Sequence, residues 1–84
     1  METIAFEDFL KVDVRVGRIV RVEEQPKARK PSYRVWVDLG PELGVRQSSA
    51  KLTRLYPREA LLGRQVLALV NIPPRQVADV RSEV

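Results

Sequence analysis

The sequence of 84 residues contains neither cysteine nor histidine. Without cysteine, the chain forms no disulfide and offers no thiolate as a nucleophile or zinc ligand. Without histidine, it lacks the commonest general base and metal ligand of proteins. Serine-hydrolase triads, zinc sites and thiol chemistry are therefore excluded, and no spaced pair of carboxylates stands out for acid–base work. The composition predicts a non-enzymatic binding domain that uses no cofactor and no metal.

Aromatic residues and long apolar runs are also scarce. One Trp, two Tyr and two Phe are too few for a general single-strand binder that stacks successive bases on aromatic rings, and they favour recognition of a folded RNA through its shape and phosphates. The apolar runs fall well short of a membrane span, and no signal-peptide pattern opens the chain. We therefore expect a cytoplasmic protein that does not insert into membranes.

The charge of the chain, +4 in total, is unevenly distributed. Residues 1–24 carry four basic and six acidic side chains, residues 25–64 carry nine and three, and residues 65–84 carry two of each. A basic middle favours an anionic partner, with nucleic acid as the first candidate. A solvated basic surface that keeps the protein soluble explains the same charge equally well.

The segment VDVRVGRIVRV (residues 12–22) predicts a long strand because valines alternate with other residues. The valines that share one face by a period of two are Val12, Val14, Val16, Val20 and Val22. Arg18 breaks the alternation one step after Gly17, and glycine inside a strand often marks a bulge or a sharp bend. A strand bent at Gly17 can serve two sheets of a small barrel.

The rest of the pattern predicts a helical turn at residues 6–10, a loop over residues 23–32, and strands at residues 33–39, 45–50 and 64–72 and near Arg81. Pro57 and Gly63 bracket a short helix before the fourth strand. The continuous apolar run of that strand predicts burial on both faces. This order predicts a mainly β OB-fold, a five-stranded Greek-key barrel with a short helix between strands 3 and 4, in a single domain spanning residues 1–84.

Four blocks of sequence, which together cover essentially all of the chain, resemble a known family. They are FEDFLKVDVRVGRIV, ARKPSYRVWVDLG, RQSSAKLTRLY and RQVLALVNIPPRQVADVRSEV, in this order and spacing. In these blocks the chain resembles the CsaA family of export-related chaperones, which looks like a stand-alone version of the tRNA-binding OB domain of some methionyl- and phenylalanyl-tRNA synthetases. The resemblance implies a homodimer that binds tRNA or tRNA-like RNA, or alternatively unfolded or pre-secretory polypeptides. Both functions remain open at this point.

Two features depart from the pattern of the family. The wider tRNA-binding family tends to have glycine where this chain has Asp79, so we expect a different turn in the loop after Pro74. The family's chain also continues past the SEV motif, residues 82–84 here, into further strand and dimer-contact segments. We expect this C-terminal segment to be absent, which bears on how the barrel closes.

The candidate nucleic-acid-binding residues fall into a basic loop group, a third-strand group and a C-terminal group. They are Lys27, Arg29, Lys30 and Arg34; Arg46, Gln47 and Ser48; and Arg75 and Ser82. Flexible basic side chains on a loop can follow a phosphate backbone, and the amide and hydroxyl groups of the third strand suit base edges. The competing interpretations are a solvated loop, a polar strand that faces water, and a backbone-capping hydroxyl at Ser82.

The aromatic residues have competing interpretations of their own. Trp36 falls on the face opposite Tyr33, Val35 and Val37. Its indole could stack on a base, pack in a dimer interface or fill the second side of a barrel strand, and we favour packing. The other aromatic residues outside the second strand, Phe6, Phe9 and Tyr56, are expected in the core or in an interface.

Overall fold

The computed structural model describes all residues, Met1–Val84, and contains six strands and two short helices. In chain order they are α1 (Phe6–Leu10), β1 (Val14–Glu24), β2 (Tyr33–Asp38), β3 (Val45–Ala50), α2 (Arg58–Leu61), β4 (Gln65–Leu69), β5 (Arg75–Val77) and β6 (Val80–Ser82). The fold is mainly β, as predicted, and a short helix lies between the third and fourth strands. Helices of five and four residues are too short to cross a lipid bilayer.

The long strand β1 organises the main sheet, whose strand order is β3-β2-β1-β4. Residues 14–18 of β1 pair with β4, and residues 18–24 pair with β2, in both cases antiparallel. On its other side β2 pairs with β3. One strand therefore serves two neighbours through its two halves, as the bent strand of a small barrel does.

A two-stranded hairpin of β5 and β6 completes the fold. It lies along β3, where the Glu83 amide donates to the Gln47 carbonyl at 2.8 Å, but no strand pairing joins it to β4. The expected five-stranded barrel is thus formed only in part, because the sheet stays open between the hairpin and β4. Two consecutive prolines, Pro73 and Pro74, stand between these strands and lack the N–H donors that pairing requires.

The irregularity of β1 lies at Val20 and not at Gly17. The register with β2 shifts between Ile19 and Arg21, so that Val20 has no partner. Gly17 instead lies directly against side chains of β2 and of Leu39, which follows β2. A Cβ atom at this position would come within 2.5 Å of Cγ1 of Val37 and 2.8 Å of Cδ2 of Leu39. The bulge that the sequence predicted at Gly17 therefore lies at Val20, and the glycine at position 17 is required for space.

The bulge decides which side chains of β1 enter the core. Ile19 and Val22, which are three residues apart, are both buried because the extra residue between them restores the inward direction. Val16 is 60% exposed and Val22 is 8% exposed, so the prediction that all five valines share one face is wrong. The buried core cluster consists of Ile19, Val22, Tyr33, Val35, Val37 and Leu61.

The outer surface of β1 and β4 is apolar and exposed. Val16 pairs directly with Leu67, and Val14, Val16 and Leu67 are 50%, 60% and 73% exposed. We call these three side chains the apolar face. The prediction that the fourth strand is buried on both sides is therefore wrong, since only Ala68 of this strand is buried.

Helix α1 also exposes apolar side chains. It buries no residue, and Phe6 and Phe9 are each 62% exposed. The side chain of Asn71, just beyond β4, holds the segment after α1 in place: its Oδ1 accepts from the Asp13 amide at 2.9 Å, and its Nδ2 donates to the Lys11 carbonyl. The apolar face and α1 thus lie at the same end of β1.

Substitution of Gly17 tests the close approach of β1 and β2. We expect Gly17→Ala to lower the free energy of unfolding by about 1–3 kcal/mol, because the added methyl group overpacks the core against Val37. Urea denaturation measures the difference. The control is Glu24→Ala, an exposed position of the same strand, for which we expect a change within about 0.5 kcal/mol. Equal stability of Gly17→Ala and the parent would contradict the described packing.

Candidate nucleic-acid interface

The loop between β1 and β2, residues 26–31, carries three of the predicted cations. We call it the basic loop. Proline at both ends prevents continued strand pairing, and the Gln25 amide donates to the Ser32 carbonyl at 3.1 Å to close the base of the loop. Lys27, Arg29 and Lys30 are all exposed, and none of them forms an ion pair or a side-chain hydrogen bond. Their charges are therefore uncompensated within the protein.

Two cations of β1, Arg15 and Arg21, have acidic partners. Arg15 forms ion pairs with Asp13 at 3.1 Å and with Glu42 at 3.3 Å. The hydrogen bond and the charge of Asp13 raise the pKa of Arg15 above its ordinary value, and the charge of Glu42 adds to this effect. Arg21 pairs with Glu23. The basic loop thus differs from these positions in its lack of acidic neighbours.

Next to the basic loop, the outward-facing side chains of β1, β2 and β3 form a polar surface, which we call the outer patch. The strand register places them in two rows: Arg21, Trp36 and Gln47 in one, and Glu23, Arg34 and Ser49 in the other. Outward side chains of directly paired residues lie about 5 Å apart. The register therefore brings together two of the predicted binding residues, Arg34 and Gln47, which are 13 residues apart in the sequence.

Trp36 is the centre of the outer patch. The guanidinium carbons of Arg21 and Arg34 lie 4.7 Å and 4.6 Å from the centroid of its ring, within the range of cation–π attraction. The indole is half-buried and is engaged by these two cations. Trp36 therefore orients two arginines on the surface. A base that stacked on it would first have to displace a guanidinium group.

Arg34 keeps part of its hydrogen-bonding capacity for a ligand. Its Nε and Nη2 donate to Oε1 of Gln47 at 3.0 Å and 2.7 Å, so three of its five N–H groups remain free. The Nε2 amide of Gln47 donates no hydrogen bond within the protein. This pair therefore presents several fixed donors, and donors of this kind suit phosphate oxygens or base acceptors.

The other two residues of the third-strand group lie on the opposite face of β3. Arg46 pairs with the buried Val37 and donates from Nε to the Leu43 carbonyl at 3.0 Å. Ser48 pairs with the buried Val35, and its hydroxyl lies 3.1 Å from that of Ser82 and donates to the Val84 carbonyl at 2.8 Å. Strand alternation thus separates these two side chains from Gln47.

The C-terminal group is divided in the same way. Ser82 is 6% exposed, and its hydroxyl accepts from the Ser49 amide at 3.3 Å in addition to its contact with Ser48. This geometry gives Ser82 a role in attaching the hairpin to β3. Arg75 opens β5 directly opposite Ser82, and it is exposed and has no ion-pair partner. Among the two, Arg75 alone presents its functional group to solvent.

Three members of the outer patch, Arg21, Glu23 and Ser49, were not considered as candidates from the sequence. Arg21 and Glu23 alternate with the buried Val22, and this alternation places them outward. Their position next to Trp36 and Arg34 follows only from the register after the bulge. The acidic side chains form no cluster of three or more that would ligate a metal ion.

Comparison with known proteins identifies relatives with the same fold. A family model described as "Putative tRNA binding domain" matches residues 14–84. The chaperone CsaA of Bacillus anthracis str. Ames is 46% identical, with a TM-score of 0.89 over 98% of this chain and 74% of that one. The CsaA chaperone protein of Picrophilus torridus is 38% identical, with a TM-score of 0.91 over 96% of this chain and 75% of that one.

The chain is also similar to a segment of longer enzymes. The methionine–tRNA ligase of Thermococcus onnurineus (strain NA1) is 43% identical over 83 residues, which are 99% of this chain. That of Porphyromonas gingivalis (strain ATCC 33277) is 44% identical over 82 residues. The chain spans only 11% and 12% of the lengths of these two ligases.

The pair of Ser48 and the buried Ser82 provides a test that separates structural from binding residues. We expect Ser48→Ala and Ser82→Ala each to lower the free energy of unfolding by about 1 kcal/mol, because each leaves a part-buried partner unsatisfied. We also expect RNA affinity to stay unchanged in both variants, whereas Gln47→Ala on the outer patch should weaken it. Urea denaturation and filter binding measure the two quantities. Loss of RNA affinity at Ser82 without loss of stability would assign this hydroxyl to the ligand.

Proposed function

The chain belongs to the putative tRNA binding domain family, together with the CsaA chaperones, and from this premise we propose that it is a non-enzymatic domain that binds tRNA or tRNA-like RNA. The observation that carries the proposal is the basic loop, where three exposed cations have no acidic partner. Uncompensated cations on an exposed loop are suited to a phosphate backbone, because each cation that neutralises a phosphate releases condensed counterions from the RNA.

The proposed interface comprises the basic loop and the adjoining outer patch. Lys27, Arg29 and Lys30 contact phosphates, and Arg34 and Gln47 add fixed donors from the sheet. An OB-fold binds its ligand with one sheet face and the neighbouring loops. The outer patch is the corresponding face here, since it is formed by the first three strands.

The state of the aromatic rings supports a folded RNA as the ligand. Trp36 is engaged by two guanidinium groups, and Tyr33 is buried, with its hydroxyl donating to the Tyr56 carbonyl at 3.0 Å. Neither ring is free to stack on successive bases, as binding of an extended single strand requires. Recognition through shape and phosphates fits the available groups better.

The proposal concerns binding alone. Aminoacylation by the methionine–tRNA ligases is not part of it, because this chain corresponds to a small segment of those enzymes. A cytoplasmic location is part of the same proposal, since tRNA is a cytoplasmic ligand.

Salt titration of binding to bulk tRNA tests the proposed interface. For the parent, the logarithm of affinity should fall linearly with the logarithm of salt concentration. Lys27→Ala, Arg29→Ala and Lys30→Ala should each flatten this slope by about 0.7–0.9 units if each cation neutralises one phosphate. Arg58→Ala is the matched control, because this exposed arginine lies on α2 and outside the proposed interface. Equal slopes for all four variants would exclude the basic loop as the interface.

We infer further that the apolar face pairs with a second copy of this chain. Val14, Val16 and Leu67 lie exposed on two adjacent strands, and the exposed aromatic rings of α1 lie at the same end of β1. Contiguous exposed apolar surface of this kind marks an interaction site in a soluble protein. A homodimer buries it continuously, and this second copy is the occupant that we propose.

Sedimentation of a Leu67 variant tests the homodimer. The parent should sediment with about twice the chain mass at micromolar concentration, and Leu67→Gln should shift the equilibrium toward monomer by removing buried apolar contact. Leu55→Gln is the matched control, because this leucine is 77% exposed and lies outside the apolar face. A monomeric parent that suppresses aggregation of an unfolded protein, even at high salt, would instead favour the chaperone function, with a polypeptide on this face.

A further inference from the structure

An open cleft with a volume of about 430 Å³ lies between the basic loop and the turn of the β5–β6 hairpin. Four cations line it: Lys27, Arg29, Lys30 and Lys51. No acidic side chain does so. Four like charges around one space repel one another, and a bound anion removes this repulsion.

Lys51 reaches this cleft from a different element than the other three cations. It directly follows β3, whose last residue, Ala50, pairs with Tyr33 at the start of β2. The register of β2 and β3 therefore places Lys51 beside the end of the basic loop. Its side chain is exposed and forms no ion pair or hydrogen bond. It is thus a fourth uncompensated charge, fixed to the end of a strand.

The backbone of the basic loop adds donors to those of the side chains. The N–H groups of Lys27, Arg29 and Lys30 make no hydrogen bond within the protein. Unsatisfied backbone amides on a cationic loop are suited to an anionic acceptor, since they contribute fixed partial charges of the required sign. Cationic side chains and amide donors therefore occur on the same loop.

The far wall of the cleft is the hairpin turn, with Val77 and Ala78. Gln25 holds this wall in place: its Nε2 donates to the Val77 carbonyl at 2.7 Å, and its Oε1 accepts from the Ser49 hydroxyl at 2.6 Å. Ala78 has a φ of 54°, a left-handed conformation that costs an alanine about 1–2 kcal/mol. The turn is thus kept in an unfavourable backbone geometry at the edge of the cleft.

We propose that this cleft binds a phosphate group of the RNA and that Lys51 is one of its direct ligands. The inference rests on the proposed RNA-binding function and assigns a site within it. A neighbouring cleft of about 560 Å³ lies on the other side of the basic loop. Its only cation is Arg29, and Glu24 also lines it, so that an anion is favoured in the four-cation cleft.

A pair of lysine variants tests the site in the intact chain. Lys51→Gln should flatten the salt dependence of bulk tRNA binding by about 0.7–0.9 units. Lys11→Gln is the control, because Lys11 is also exposed but lies at the opposite end of β1, where it pairs with Asp8 at 3.8 Å. The second measurement is a titration with inorganic phosphate at constant ionic strength. The ¹⁵N–¹H signals of Lys27, Arg29 and Lys30 should shift in the parent and shift clearly less in Lys51→Gln.

Each outcome has a distinct meaning. The site is supported if Lys51→Gln, but not Lys11→Gln, shows a flatter salt dependence of tRNA binding and smaller amide shifts. If the parent binds tRNA and the two variants behave alike, the phosphate site is excluded while RNA binding stands. If the parent does not bind tRNA at low salt, the proposed function and the site both fail. If polyglutamate shifts the three amide signals and inorganic phosphate does not, the cleft binds carboxylates, and the inference is overturned.

Discussion

The side chain of Gln25 is the interaction on which the arrangement of the proposed interface depends. It is 4% exposed and links the end of β1 to β3, through the hydroxyl of Ser49, and to the hairpin, through the carbonyl of Val77. The hairpin consists of two strands of three residues each, and a hairpin of this size is only marginally stable by itself. Because Gln25 is buried, loss of either hydrogen bond leaves a polar group unsatisfied, at a cost of about 1–3 kcal/mol. The amide therefore fixes the relative positions of loop, sheet and hairpin.

The sequence predicted the features that depend on neighbouring residues. The basic loop is evident from its prolines and cations, and the short helix from Pro57 and Gly63. The shared face of the β1 valines was mispredicted because one unpaired residue, Val20, reverses the alternation, and no property of valine marks a bulge. Likewise, Gly17 carries no sign that distinguishes a bend from a close approach. Local pattern thus gave the elements but not the direction of their side chains.

The members of the interface that are distant in sequence were predictable only in part. Arg34 and Gln47 were selected separately, and their contact follows from the pairing of β2 with β3. The same pairing turns Ser48 inward and brings Lys51 to the basic loop, and neither result has a signal in the sequence. The separation of charge, by contrast, is largely local, because Asp13 and Glu23 are each two residues from the arginine that they pair with. Arg15 and Arg21 have acidic partners close by, whereas the cations of the basic loop do not, although composition alone treats them as equivalent.

Because Trp36 is the only tryptophan of the chain, the ultraviolet emission of the protein originates almost entirely from the outer patch. Its indole lies against two guanidinium groups and is half exposed to water. A ligand that moves either arginine changes the polarity around the ring and therefore the wavelength of emission. A ligand confined to the basic loop leaves the spectrum unaltered. The native protein thus carries a built-in optical probe that distinguishes contact with the sheet from contact with the loop.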